Sequence, residues 1–539
     1  MKKRILTAFT VILTAVFTAG GLTACTPPHR YAKNWSYNET EHWREITCIH
    51  KTMVDVQKEP HSFDGNFCTV CGYYRITEGL YYTANYGENE EVVSYTLSGM
   101  GSAIGYYVGV PEYYQGKPVT KIENAILRYA DELVIPKTVT AIDTDNSYGN
   151  RNYYLTHITV VPDNKTYSSR DGILYNKEQT EIVFIPKVSG DITIPEGITS
   201  LPDSAFFGCN ELTGISLPNS LKSVGRYAFT HCNKLNYTAD EWLKYLGDDS
   251  NPYRILVGIK EFAENYYINE QTEIIAGGVF EGGYVAEITI PEKVISIGDY
   301  AFSGCENLTQ VVLPQNLKEI GYSAFRNCIN LQKINIPSKL EKIIATAFDG
   351  CNSLELKEYD NAYYLGNDEN PYLMLYRVKD NSISECEISP NAKFIYGQAF
   401  YYCGWLTEIT VPDSVSFLGE AAFSNCTYLE NATLPDSIAE LPAYAFNECN
   451  SLTSIILPEN LISIDSYAFG YCYNLKEIAL PVSLKKIALS AFNGCTKLHD
   501  IYYGGTVSQW QAIEKKQNNG LYTGNATIHC TDGNTKFMK

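Results

Sequence analysis

At 539 residues, with 45% hydrophobic and 19% charged residues, the chain is long enough for several globular domains or for one extended repeat array. Its formal net charge of -19 favours solubility and argues against nucleic acid or an anionic membrane surface as a partner. After the first two dozen residues no apolar stretch approaches the ~20 residues of a membrane-spanning helix.

The amino terminus carries Lys2-Lys3-Arg4, an apolar run from Ile5 to Gly20, and then Leu22-Thr23-Ala24-Cys25. This resembles a bacterial lipoprotein signal with its lipobox. The resemblance implies that residues 1–24 are a removed leader, that Cys25 becomes the lipidated first residue, and that residues 25–41 are anchor and spacer. It further implies an exported protein at the cell surface that meets the membrane only through that lipid. An ordinary cleaved signal peptide with a chance cysteine is the alternative.

Residues 42–76 form a small Cys/His module: His42-Trp43, Cys48, His50, His61 and Cys68-Thr-Val-Cys71-Gly72. A Cys-x-x-Cys-Gly turn presents two thiolates on one loop, and an upstream cysteine plus a histidine would complete a tetrahedral zinc site. The candidate ligands are therefore Cys48, His61, Cys68 and Cys71, with His50 as the substitute for His61. The segment resembles Cys/His modules found beside repeats in bacterial surface proteins, which show a full Cys-x-x-Cys after the His-Trp pair. Here Lys51 stands three residues after Cys48, so a structural zinc, a disulfide and a decayed site all stay open. No other cofactor is expected.

Residues 77–118 alternate around Tyr81-Tyr82, Val92-Val93 and Tyr106 to Val110, which predicts a few strands capping the first coil of a repeat array. From 119 to 500 the chain repeats. Cysteines fall at 403, 426, 449, 472 and 495, each 23 residues after the last, with the same rung at Cys209, Cys232, Cys305, Cys328 and Cys351. Phenylalanines three residues before each cysteine (Phe302, Phe325, Phe423) and prolines such as Pro412 and Pro435 keep the same period. A period in the window of 20 to 29 residues predicts a repeat solenoid, leucine-rich-repeat-like and mainly β with short turns or 3₁₀ segments. In Leu331-Gln-Lys-Ile334-Asn-Ile336-Pro337 the apolar residues alternate as in a half-buried strand, and the proline ends it. The pattern Leu-x-x-Ile-x-Ile-Pro through Ala-Phe-x-x-Cys resembles the BspA-type leucine-rich repeats of bacterial surface proteins. That resemblance implies a non-enzymatic binding or adhesion protein recognising host or microbial macromolecules.

Sixteen cysteines in an exported chain would ordinarily suggest a disulfide framework. The ten rung cysteines, however, point inward in parallel with Cβ atoms near the ~4.8 Å strand spacing. A disulfide wants ~3.5–4.5 Å, so they are expected to be buried free thiols forming a structural ladder. Insertions interrupt the register near 160–190, 236–270 and 356–385. The last two share Tyr-Leu-Gly followed by Asn-Pro-Tyr, at 245–253 and 364–372, which predicts a hairpin or an elongated coil in each. Residues 501–539 leave the register and resemble the terminal cap of the same family, with Trp510 expected to cover the last coil.

No His-Glu-x-x-His or Gly-x-Ser-x-Gly occurs, the glycines of Gly109 to Gly116-Lys117 are too far apart for a phosphate loop, and Asp143 to Asn146 lacks the rest of a calcium loop. The histidines and carboxylates are scattered over variable positions, so no enzyme is expected. The 43 tyrosines, several in pairs, are the unusual resource, since tyrosine is favoured at interfaces. The expected partner is an extracellular protein, or alternatively a glycan captured for polysaccharide uptake, met by a monomer.

Overall fold

The computed structural model describes residues 36–37, 41–43, 58–64, 66–71, 73–87, 89–103, 106–144, 154–344, 346–515 and 526–536. Cys25, Cys48 and His50 lie outside the described residues. The chain divides into two compact units, Met1–Ile76 and Thr77–Lys539. In the first, strands Ser36–Tyr37, Glu41–Trp43 and Glu59–Pro60 pair antiparallel, followed by the hairpin Phe63–Asp64 with Phe67–Cys68.

The second unit is a solenoid of parallel coils. Each regular coil contributes two short strands, one to each of two sheets. Glu287–Thr289, Gln310–Val312 and Lys333–Ile334 pair in parallel on one side. Ile274–Ile275, Ser296–Ile297, Glu319–Ile320 and Lys342–Ile343 do so on the other. Inside one coil, Leu331, Ile336, Leu340, Ile343, Ala347 and Phe348 are buried as expected, whereas Ile334, read as inward from the alternation, is only half-buried, like its neighbour Asn335. The phenylalanine rings stack from coil to coil at 5.0 to 5.7 Å, as in Phe302 on Phe325 at 5.1 Å and Phe446 on Phe469 at 5.7 Å.

Two left-handed residues per coil bend the chain around this aromatic column. Tyr300, Ser323, Tyr444 and Tyr467 take φ of 58°, 52°, 58° and 55°, and Asn327, Asn425 and Glu448 take 58°, 62° and 60° before their cysteines. Side chains with a Cβ are strained there. The strain is offset by bonds to the next coil, such as Tyr300 N–H donating to Tyr322 O at 2.8 Å and Tyr444 N–H to Ser466 O at 3.0 Å.

The ten ladder cysteines are buried and unbridged. Eight of them donate the thiol to the phenylalanine carbonyl of the preceding coil at 3.0 to 3.2 Å, from Cys232 to Phe206 through Cys495 to Phe469. Where an insertion removes the next cysteine, a tyrosine hydroxyl takes over: Tyr237 donates to Phe229 O at 3.1 Å and Tyr376 to Phe348 O at 3.0 Å. The rung residue is therefore a small apolar group with a donor, and the donor has a fixed acceptor.

All three insertions are antiparallel three-stranded meanders: Tyr167–Arg170, Ile173–Asn176 and Ile182–Phe184; Thr238–Ala239, Leu243–Leu246 and Ile255–Ile259; Lys357–Tyr359, Ala362–Leu365 and Met374–Val378. The last strand of the second and third meanders joins the parallel stack, Ile255–Ile259 onto Ile274–Ile275 and Met374–Val378 onto Phe394–Ile395.

Stacking begins earlier than the register of the repeats. Val92–Gly99 already pairs parallel with Lys117–Ile122, and Tyr107–Gly109 with Glu132–Ile135, so the segment read as a cap contains a coil. Tyr81–Tyr86 covers it from outside, antiparallel. A short helix, Asn124–Tyr129, occupies the place of the Ala-Phe turn in the next coil. At the other end Asp500–Tyr503 and Thr527–Cys530 continue the parallel stack, and Gly533–Lys536 closes it antiparallel. Between them the helix Val507–Ala512, started by a Thr506/Gln509 capping box, drives Trp510 into the core against Tyr503.

Candidate metal centre and binding groove

The amino-terminal unit gathers four donors. His42, His61, Cys68 and Cys71 place one ligand atom each within 4.8 Å of one another. Nδ1 of His61 is 3.3 Å from Sγ of Cys71, and Nδ1 of His42 is 3.9 Å from Sγ of Cys68. The knuckle is shaped by backbone: Cys68 N–H donates to Tyr73 O at 2.6 Å, and Tyr73 N–H to Sγ of Cys71 at 3.4 Å. Both imidazoles are braced from behind. His61 stacks on Tyr73 at 4.6 Å, and Nε2 of the buried His42 lies 3.8 Å from a Glu59 carboxylate oxygen. A carboxylate behind a ligating histidine fixes ring orientation and raises basicity.

The two thiols differ in acidity. Burial opposes ionisation of Cys68 but is outweighed by hydrogen bonds from the Cys71 and Val70 backbone and from His61, so its thiol is lowered to about 6. Burial and the neighbouring Cys68 sulfur push Cys71 up to about 11. The pair thus differs in how readily each sulfur becomes a thiolate. Two sulfurs and two imidazole nitrogens at this spacing suit a tetrahedral divalent ion of borderline softness.

Of the four ligands expected from the sequence, His61, Cys68 and Cys71 come together, and Cys48 lies outside the described residues. His42 completes the set. Its sequence signal is the His-Trp pair at the head of the module, which a third thiolate at Cys48 outweighs when spacing alone is considered.

The solenoid offers a groove. The two-residue strands of coils 295–344 and those of coils 416–465 border a common cavity of about 820 Å³. It is lined by Ile343, Ile344, Phe417 and Leu418, of which Ile343 and Leu418 turn their side chains into the core, and by the charged Lys318, Glu341, Glu420, Glu440 and Asp465. Ion pairs pre-set part of the wall, Lys318 with Glu341 and Lys342 with Glu319, the latter at 3.5 Å. Burial, with Asp465 adding to it, holds Glu420 above the usual carboxylate range. A second recess of about 340 Å³ continues along the same strands past Asp203 and Asp299. Among the described residues no helix is long and apolar enough to cross a membrane.

Stacked parallel coils, an Ala-Phe-x-x-Cys turn and an open groove define a leucine-rich-repeat scaffold. The chain belongs to the BspA type leucine rich repeat family, whose pattern matches in six copies over residues 181–250, 264–367 and 379–513, more than half of the sequence. It is similar in structure to a leucine rich cell surface protein from Faecalibacterium prausnitzii A2-165, at 25% identity over 85% of this chain and 99% of that one, with a TM-score of 0.29. Leucine-rich repeat proteins from Bacteroides ovatus ATCC 8483 (20% identity, 83% and 98% covered, TM-score 0.24) and Eubacterium ventriosum ATCC 27560 (18%, 64% and 87%, TM-score 0.24) are also similar. No curated protein matches the chain. Family membership is consistent with a binding or adhesion role.

Proposed function

We propose that this chain is a non-enzymatic binding protein of the bacterial cell surface, anchored by a lipid on Cys25, that recognises an extracellular protein through the groove of its solenoid. The groove itself carries this reading: two sets of coils about a hundred residues apart line one 820 Å³ space with charged side chains of both signs and the half-buried Ile344 and Phe417. Such a surface fits a projecting loop of a partner, with the apolar side chains supplying burial and the charges supplying register. The net charge of -19 favours a partner of neutral or basic surface and argues against nucleic acid. In the amino-terminal unit, His42, His61, Cys68 and Cys71 would hold a structural zinc, which supplies folding energy to a segment too small for a core of its own.

The test is charge reversal in the full chain. Lys318→Glu with Glu440→Lys, both exposed on the groove wall, should weaken binding to an array of host extracellular and bacterial surface proteins by tenfold or more. Unchanged binding would move recognition off the groove.

A further inference from the structure

Two residues after each ladder cysteine the chain leaves the core, and eight of the ten ladder units place a polar residue there, Glu211, Asn330 and Lys497 among them. The consecutive units of Cys403 and Cys426 instead place Trp405 and Tyr428. Their side chains are 62% and 52% exposed, and their rings stand one above the other at 5.4 Å with 27° between planes. Tyr402, on the left-handed residue before Cys403 and 57% exposed, lies three residues before Trp405 in the same turn and packs its ring edge-on against Tyr401 at 4.5 Å. The fold does not require aromatic residues at these positions, as the other coils show. The backbone beneath is fixed: Gly404 N–H donates to Tyr402 O at 2.7 Å, Tyr428 N–H to Gly404 O at 3.2 Å, and Ser451 N–H to Thr427 O at 3.0 Å.

Large aromatic side chains held rigidly in water mark a recognition surface. Its size and charge select the partner. The patch ends after two coils, because Ser451 follows on one side and Ser353 and the third meander precede on the other, so it runs for only ~10 Å at ~4.8 Å per coil. Three such side chains cover ~150–250 Å² each, short of the ~800 Å² that a stable protein interface buries per partner. Nucleobases also stack on aromatic rings, but the chain's charge of -19 repels their phosphates. A sugar ring remains: its C–H face lies flat on an aromatic ring while its hydroxyls point to water and to polar groups beside the stack, here the Tyr428 hydroxyl and Thr427, whose own hydroxyl donates to Gly404 O at 3.4 Å.

We propose that Trp405, Tyr428 and Tyr402 form a binding platform for a short stretch of an uncharged glycan. None of the three lines the groove, so the platform does not rest on the groove's role.

The experiment is an array of uncharged oligosaccharides probed with the full chain, followed by calorimetry with the best binder. Trp405→Ala and Tyr428→Ala should each weaken binding by tenfold or more, Trp405→Tyr should keep most of it, and affinity should not change with salt. Because the three side chains lie outside the core, the thermal unfolding midpoint of each variant should stay that of the parent. Failure to bind any uncharged oligosaccharide, binding that survives the Trp405→Ala/Tyr428→Ala double change, or binding lost only in the groove variants would overturn the proposal. Loss of a protein partner instead of a sugar in Trp405→Ala would also overturn it, by making the platform a protein contact.

Discussion

The thiol of Cys449 sits 3.2 Å from the carbonyl of Phe423, one coil back, in a place where water cannot reach either group. That contact explains why the rung is cysteine and not alanine or valine. Replacing Cys449 by Val should leave the carbonyl without its donor and cost ~1–3 kcal/mol, whereas Cys449→Ser should cost less because the hydroxyl can donate in the same direction. Thermal unfolding of the three proteins side by side is the check, and equal losses for Ser and Val would contradict the role of the bond. A second residue-scale expectation concerns Asp299. Burial first, then Asp203 and Glu319, hold its carboxyl above the usual range, although Tyr322 N–H donates to it at 2.6 Å. A carboxyl whose folded value is raised costs stability when it is ionised in both states, and the cost vanishes once both states are protonated. Asp299→Asn, which keeps an acceptor for Tyr322, should therefore raise the melting temperature at pH 7. The gain should shrink as pH falls through the raised value toward the ordinary carboxylate value near ~4. A gain that grows on acidification would refute the assignment.

Period and side-chain size made the phenylalanine column and the buried thiols legible from sequence, since both recur at a fixed interval. The tyrosine substitutions at Tyr237 and Tyr376 were not legible. Their hydroxyls reach Phe229 and Phe348 from meanders that share no register with the repeats, so the equivalence exists only in space.

At the scale of elements, the second and third meanders are copies of one design. Asp248 accepts from Ser250 and Asn251 N–H as Asn367 accepts from Glu369 and Asn370 N–H, and Asn251 and Asn370 each donate a side-chain N–H to the next coil. In both, the glycine is required by a close approach: a Cβ on Gly247 would stand 1.9 Å from Asn251 O, and one on Gly366 2.0 Å from Asn370 O. Gly366→Ala should force the turn apart at a cost of ~1–3 kcal/mol and remove amide protection from residues 362–378, read by hydrogen exchange. The shared Tyr-Leu-Gly and Asn-Pro-Tyr words announced these elements, and turn chemistry gave their type. The early start of the stack at Val92–Gly99 was hidden because that coil lacks the Ala-Phe and cysteine rungs, and its Pro111, level with Pro136, is recognised only through the parallel partner.

The metal module is the other element with a direct check. The full chain should carry close to one zinc by elemental analysis, and His42→Ala should lower its affinity at least tenfold. Chelation should leave the melting of the solenoid unchanged, because residues 77–539 form their own compact unit. Full zinc retention in His42→Ala would return the fourth ligand to another residue such as Cys48.

For the whole molecule, the repeats specified a solenoid but not where its surfaces would meet. The groove depends on how the coils before and after the third meander are oriented, a property of many small rotations summed over the stack, and no motif encodes it. The charges that line it, Lys318, Glu341, Glu440 and Asp465, looked in sequence like any solvated positions. Their role as a recognition surface is the central claim, and hydrogen exchange of the full chain with and without a protein partner captured from the array tests it most directly. Protection should rise together in residues 295–344 and 416–465, the two segments that share the cavity. Protection confined to residues 58–76, or to the opposite strands such as Gln310–Val312 and Glu477–Leu480, would contradict it.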